Sequence, residues 1–255
     1  MTKWRLIDLG IIDPVEYVSI KELLLTALER ELIPNTLCFS IPKRHVWMGP
    51  TTNMRRRVNL EYCQKEGIPI IRDFSGGSGA AIHDEDSFAY DLAAREMIPD
   101  MECVLKSLQG MGLDAHKKER SNDILVAGKK ISGGMGRFQP NGIYVAGGGV
   151  IIDFNYDLCE KALLTPPDLF VDKEAKSHTE WVTTLKTQLG REVTYEEVGA
   201  LLKETFESFL QIEFDVATHL TVAEEQILEE LQVKYRSDEW LRTGRWSPVK
   251  DYGLR

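Results

Sequence analysis

Arg72-Asp73-Phe74-Ser75-Gly76-Gly77-Ser78-Gly79-Ala80-Ala81-Ile82-His83-Asp84 is the stretch on which the fold turns. It continues Ile68-Pro69-Ile70-Ile71-Arg72, a short apolar run that reads as a strand. A glycine-rich turn after a strand lets backbone N–H groups approach an anion, because no Cβ stands in the way. No GK[ST] follows, so the turn is not a P-loop, and no amphipathic helix follows, so it is not a dinucleotide fingerprint. Taken alone, it reads first as a flexible turn between strands, since glycine loops are common.

A second segment is Asn122-Asp123-Ile124-Leu125-Val126-Ala127-Gly128-Lys129-Lys130-Ile131-Ser132-Gly133-Gly134. A lysine at a strand start among glycines can hold a carboxylate, a phosphate or a developing oxyanion in a cleft. Strand neighbours face opposite ways, so one of Lys129 and Lys130 is expected in solvent. Around this segment, 122–153 reads as a β-meander of three strands, with turns at 127–129 and at Gln139-Pro140-Asn141-Gly142.

Working outward, Trp4–Leu9 reads as a first strand and Val15–Glu31 as an amphipathic helix. Strands are expected at Thr36–Ser40 and His45–Gly49, and helices at Asn59–Glu66 and Asp100–Met111. Phe88–Ala94 fits a strand or a helix start. After Pro166-Pro167 the chain turns helical, over Ser177–Leu189, Tyr195–Leu210 and Thr221–Tyr235, with a short edge strand at Ile212–Val216. Thr221 with Glu224 makes a capping box. There is no internal repeat.

The glycine turn ending in His83-Asp84 and the later Asn122-Asp123…Gly128-Lys129-Lys130-Ile131-Ser132-Gly133 are accompanied by an opening Trp4-Arg5-Leu6-Ile7-Asp8 strand. An acidic helix followed by Lys234-Tyr235-Arg236-Ser237-Asp238-Glu239-Trp240 closes the series. These four landmarks, in order over most of the chain, resemble the lipoate–protein ligase and octanoyltransferase family. In layout the chain is most similar to archaeal-type ligases, whose catalytic chain ends near that signature and whose accessory domain is a separate polypeptide.

The resemblance implies an α+β fold, mixed β-sheets flanked by helices as in biotin and lipoate protein ligases, with a helix-rich C-terminal end. It implies one catalytic domain over 1–255 with no C-terminal accessory domain. Lys130 is then the catalytic lysine. Arg72, Ser75, Gly76, Gly77, Ser78, Gly79, Ala80, His83, Asp84, Asn122, Asp123, Ser132, Gly133 and Gly147 fall at substrate and adenylate positions. Asp123 is a candidate Mg²⁺ or nucleotide contact, or else a turn-capping carboxylate. ATP with Mg²⁺ and lipoic (or octanoic) acid are the implied co-substrates. A lipoyl carrier domain (H-protein or E2-like) and a small accessory subunit are the implied partners.

The chain departs from the pattern in three places. Asp73 stands where a second arginine is usual, and near a triphosphate its charge is expected to repel. The glycine loop is one residue longer. Ala146-Gly147-Gly148-Gly149 stands where a histidine-glycine element is common. Two alternatives therefore remain beside the ligase: an acyl-carrier-dependent transferase and a carrier-binding pseudoenzyme. The transferase relatives generally use a cysteine nucleophile, in one branch shortly before the lysine strand, and 115–119 holds none. Cys103 falls on a predicted helix and reads as core.

A formal net charge of −9 argues against nucleic-acid binding. The basic cluster Arg55-Arg56-Arg57 reads as a solvated helix or turn, although it or Lys117-Lys118 offers a local basic face for an acidic carrier. Four cysteines without a CxxC pair give no zinc spacing. The start lacks a signal-peptide core and no apolar run reaches membrane length, so a cytoplasmic protein with reduced thiols is expected.

Overall fold

A computed structural model describes residues 2–166, 170–171 and 175–246. Pro167 of the expected Pro166-Pro167 break lies outside them. The strands are β1 (Thr2–Ile12), β2 (Thr36–Pro42), β3 (His45–Met48), β4 (Ile70–Arg72), β5 (Ala80–His83) and β6 (Ser87–Ala94). They continue as β7 (Ala115–Lys117), β8 (Ile124–Val126), β9 (Lys129–Phe138), β10 (Tyr144–Ile151) and β11 (Ile212–Ala217). The helices are α1 (Pro14–Glu29), α2 (Met54–Arg57), α3 (Leu60–Lys65), α4 (Asp100–Gly110) and α5 (Tyr156–Ala162). After them come α6 (His178–Trp181), α7 (Leu185–Leu189), α8 (Tyr195–Leu210), α9 (Val222–Tyr235) and α10 (Asp238–Thr243).

Eight strands form one mixed sheet in the order β11-β1-β2-β6-β10-β9-β8-β7, and β4-β3-β5 form a second. The first sheet buries both faces. Phe88, Tyr90, Leu92, Tyr144, Ala146 and Val150 pack with Val104, Leu108, Leu202 and Phe206 of α4 and α8. On the opposite face Ala93 and Val145 meet Leu23, Leu24, Ala27 and Ile227 of α1 and α9. The small sheet packs its Val46, Met48 and Ile82 against Cys63, Leu158 and Cys159 of α3 and α5. The α+β fold and the meander at β8–β10 are as the sequence predicts.

Three regions refine the reading. Phe88–Ala94 is a strand, buried along its whole length because it lies at the centre of the large sheet. Ile212–Ala217 is an edge strand, parallel to β1. The single helix expected over Ser177–Leu189 is two short ones, α6 and α7. Val182-Thr183-Thr184 separate them; this β-branched run takes extended backbone. Val182 bridges to Lys130, and the Thr183 amide donates to the Lys130 carbonyl at 2.8 Å.

The Thr221–Glu224 capping box is present. Its Glu224 also takes a two-pronged ion pair from Arg5 (2.9 and 2.5 Å), tying α9 to β1. No helix among the described residues is long and apolar enough to cross a membrane.

Candidate active site

Between the two sheets lies a pocket of about 500 Å³. Its floor is the α1-facing side of the large sheet. Directly opposed residues share a face, so Ala89 of β6 and Gly149 of β10, with Gly133 of β9, present the same side. The next rung on that side is Asp91, Gly147 and Met135. The roof is the glycine loop and Trp47 of β3.

A bulge aims the lysine. In the β8–β9 ladder Ile124 pairs with Ser132 while Leu125 pairs with Lys130, leaving Ile131 as an extra residue. Lys130 and Gly133 are three residues apart and would face opposite ways in a regular strand; the extra residue puts them on one side. The Lys130 ammonium sits 2.6 Å from Asp123 Oδ1 at the pocket wall. A Cβ on Gly133 would lie 2.6 Å from Lys130 Nζ and 2.8 Å from Asp123 Oδ1, so the glycine is the space in which the pair sits. Lys129 turns outward, its ammonium 3.4 Å from the Thr179 carbonyl at the surface.

The loop is pinned from behind. Gly49 N and Thr52 Oγ1 donate to the Gly79 carbonyl at 3.0 and 2.6 Å, and Thr51 N donates to Gly77 O at 3.4 Å. Arg57 Nη1 donates to Ser78 O at 3.4 Å. Gly76 has φ +96°, and a Cβ there would meet the Trp47 ring at 3.1 Å, so this turn needs glycine on both counts.

The fold brings Gly76, Gly77, Ser78, Gly79, Ala80, His83, Asp123, Lys130, Gly133 and Gly147 to the pocket wall. The remaining sequence candidates lie elsewhere. Arg72 is buried and donates to the carbonyls of Gly49, Pro50, Thr52 and Leu241, so its guanidinium braces the loop's base. Asp84 takes a two-pronged ion pair from Arg44. Ser132, opposite Ile124 and Val150, is turned to the α4–α8 core. Asn122 lies in a basic loop with Lys117, Lys118 and Arg120.

Ser75 and Asp73 belong to a buried cluster that the sequence reading did not assemble. Lys21 Nζ lies 3.0 Å from Ser75 Oγ, 3.3 Å from Asp73 Oδ2 and 3.2 Å from Asp91 Oδ1. Asp73 also accepts from Trp47 Nε1 at 3.0 Å and from the Ser75 amide and hydroxyl, both at 2.9 Å. Burial disfavours the Lys21 charge, but Asp73 and Asp91 outweigh it and hold the proton firmly. Asp91 is pushed up to about 6, first by burial and partly offset by Lys21. Beside them His83 stacks on His45, with Tyr17 against both rings. Burial holds both imidazoles neutral, His45 down to about 4.

All four cysteines are buried free thiols. Cys103 is in the α4–α8 core, as expected. Cys159 lines the pocket, its thiol pushed up to about 12 by burial and next by Glu160. Arg57, expected in solvent, lines the pocket as well. The sequence signal for Lys21 was its place in the apolar stripe of α1, four residues from Tyr17 and three from Leu24.

Residues 13–207 match the model of the lipoyl protein ligase A/B catalytic domain. Lipoate-protein ligase A subunit 1 of Thermoplasma acidophilum is 30% identical over 215 residues, covering 77% of this chain and 80% of its own. Octanoyltransferase LipM of Halalkalibacterium halodurans is 23% identical over 280 residues, covering 94% and 99%. Among solved structures, the archaeal lipoylation system of Thermoplasma acidophilum, described as a bi-partite lipoate protein ligase and its E2 lipoyl domain, superposes with TM-score 0.81. It is 26% identical over 98% of this chain and 100% of that one.

Proposed function

The chain belongs to the lipoyl protein ligase A/B catalytic domain family, and from that premise we propose that it is a lipoate–protein ligase. It activates lipoate (or octanoate) with ATP and Mg²⁺ and passes the acyl group to a lysine of a lipoyl carrier domain. The observation that carries this reading is the Lys130–Asp123 pair, held at 2.6 Å in a space only Gly133 leaves open, in one pocket with a pinned glycine loop.

In the first half-reaction a carboxylate oxygen of the acid attacks the α-phosphorus and pyrophosphate leaves. In the second, the carrier amine attacks the acyl carbon and AMP leaves with the bonding electrons of the acyl–oxygen bond. Negative charge gathers on phosphoryl oxygens in one and on the acyl oxygen in the other. Lys130 stabilises both, and its value is greatest where the charge is greatest, in the transition states. Gly76, Gly77, Ser78 and Gly79 form the adenylate-facing wall. Asp123 fits one carboxylate of a Mg²⁺–nucleotide site, since that ion takes one or two carboxylates with substrate phosphates and water.

Asp73 does not oppose a triphosphate as a bare charge, because Lys21 pairs with it. The carrier, H-protein or E2-like, docks by local basic patches, with Arg55 and Arg56 on α2 and Lys117 and Lys118 beside Asn122 as the candidate faces. A separate accessory subunit completes the enzyme, as in the bi-partite relative.

The transferase alternative rests on the octanoyltransferase relatives and needs a thiolate nucleophile. A thiol at about 12 is poorly poised for that, and Cys159 is the pocket's own cysteine. The deciding experiment follows carrier mass after incubation with lipoate, ATP and Mg²⁺, or with octanoyl-acyl carrier protein without ATP. A lipoyl increment in the first tube alone, abolished by Lys130→Ala, is the ligase result. An increment in the second alone makes the chain a transferase.

A further inference from the structure

The closing signature Lys234-Tyr235-Arg236-Ser237-Asp238-Glu239-Trp240 lies beyond residues 13–207, the stretch that matches the family model, and none of its residues lines the pocket. It is nonetheless built into the back of the glycine loop. Trp240 Nε1 donates to the buried Arg72 carbonyl at 2.8 Å, where β4 gives way to the loop. Arg72 Nε donates in return to the Leu241 carbonyl at 2.8 Å, one of the carbonyls that the end of α10 leaves without a helical partner. α10 then stops at Gly244, φ +64°, where a Cβ would lie 2.7 Å from the Pro50 carbonyl oxygen.

From Arg72 the hydrogen bonds run on to the pocket wall. Its Nη1 holds the Gly49, Pro50 and Thr52 carbonyls at 3.0, 2.9 and 3.1 Å. From that turn Gly49 N and Thr52 Oγ1 hold the Gly79 carbonyl, and Thr51 N holds the Gly77 carbonyl. A second contact runs beside this path. The Lys234 ammonium lies 2.6 Å from Glu22 Oε2 on α1, and 4.2, 4.9 and 5.7 Å from the ring centres of Trp240, Tyr235 and Phe74. Phe74 belongs to the glycine loop, and Tyr235 donates to the same Glu22 oxygen at 2.5 Å. A cation shared by these rings and the carboxylate ties the start of α10 to α1 and to the loop.

Resting on the ligase reading for the identity of the ligand, we propose that segment 234–244 is the rear support of the nucleotide-facing glycine loop, with Trp240 and Lys234 as positioning residues. They act through Arg72 and Phe74 and touch no substrate. Gly76, Gly77 and Gly79 have no side chains with which to anchor the loop, and ordering glycine costs more backbone freedom than ordering any other residue. Support from behind fixes the loop amides before the phosphates arrive, so nucleotide binding does not bear that ordering cost.

The test compares three variants of the full chain: Trp240→Phe, which keeps a ring and loses the donor, Lys234→Gln, and the charge-keeping Lys234→Arg. Amide hydrogen exchange is read first, without substrate. In Trp240→Phe the amides of Gly49, Thr51 and Asp73, which bond to Gly79, Gly77 and Met48, should exchange about fivefold faster, the weight of one hydrogen bond, while β6 and α8 keep wild-type rates. Lipoate-dependent ATP turnover is read second, and KM for ATP should rise about fivefold with kcat within about twofold of wild type. Lys234→Gln should show the same pair of changes, and Lys234→Arg should lie nearer wild type. Wild-type exchange at the three amides, faster exchange throughout β6 and α8, or a fall in kcat with KM for ATP unchanged overturns the proposal. Should Trp240→Phe fail to fold, Lys234→Gln is judged by the same outcomes. A local rise in exchange in a chain with no lipoate-dependent ATP turnover counts against the ligase reading and leaves the loop support standing.

Discussion

The pocket holds two lysine–carboxylate groups, one at each end, and they are built for different work. Lys130 and Asp123 meet at 2.6 Å with side chains 31% and 20% exposed. Lys21 is enclosed by Asp73, Asp91 and Ser75 with almost no exposure. The first pair is weakly stabilising, because water screens it, and it can exchange partners with an incoming anion. The second is costly to disturb, because breaking it strands charge in a dry place. Burial, rather than residue type, divides reactivity from architecture here.

The largest expected effect falls on the exposed end. Lys130→Ala should lower carrier modification by on the order of 10²–10³-fold, as deletion of a preorganised charge-stabilising donor does. Its thermal midpoint should stay near that of the wild type. Lys129→Ala, one residue away and outward-facing, should leave the rate within about twofold, since surface charges away from a site change little. A matching loss in both variants, read by intact carrier mass, would remove Lys130 from its role.

At the buried end the same substitution logic should appear as stability. Lys21→Met is expected to cost about 3 kcal/mol in urea unfolding, since Asp73 and Asp91 are left facing each other without a cation. Adding Asp73→Asn and Asp91→Asn should restore much of it. A fully stable single variant would mean that the cluster is hydrated, and the contrast between the two ends would fail.

The buried end should also report on pH. Asp91 has its folded value near 6, above the ordinary value of 3.8. The folded state therefore binds the proton more tightly than the unfolded chain. Its contribution to stability is fully present below about pH 4 and is lost as pH rises through about 6. A shift of that size is on the order of 3 kcal/mol. The difference in thermal midpoint between Asp91→Asn and wild type should grow in favour of the variant across that window, and a constant difference would deny the shift.

The exposed end was legible in the sequence because its parts are local. Lys130 and Gly133 lie on one strand, and the glycine loop is one continuous turn, whereas Ser132 on the same strand faces the core instead. The buried end was not, because Lys21, Asp73 and Asp91 come from three elements and each looks like an isolated anomaly. Lys21 interrupts an apolar helix stripe, Asp91 is the charge in an otherwise apolar strand, and Asp73 replaces an expected arginine. Only the packing of α1 on the large sheet shows that the three anomalies compensate one another. The bulge at Ile131 was hidden for a related reason: it depends on the β8 register, which the sequence of β9 does not encode.

Arg57 gives the smallest predicted effect and the sharpest limit on the comparison. Its sequence groups it with two solvated arginines, yet it lines the pocket and its guanidinium reaches the Ser78 carbonyl on the glycine loop. It sits at neither end; it braces the loop from the side. If it contributes through loop position, Arg57→Gln should raise the apparent KM for ATP several-fold with kcat nearly unchanged, because a binding wall loosened equally in ground and transition states alters affinity alone. Arg55→Gln and Arg56→Gln, further out on α2, should leave KM for ATP unchanged and weaken the carrier instead, more strongly at low salt. A fall in kcat for Arg57→Gln as large as that of Lys130→Ala would place a second charge at the reacting atoms, and the exposed end would then be a pair of cations rather than one.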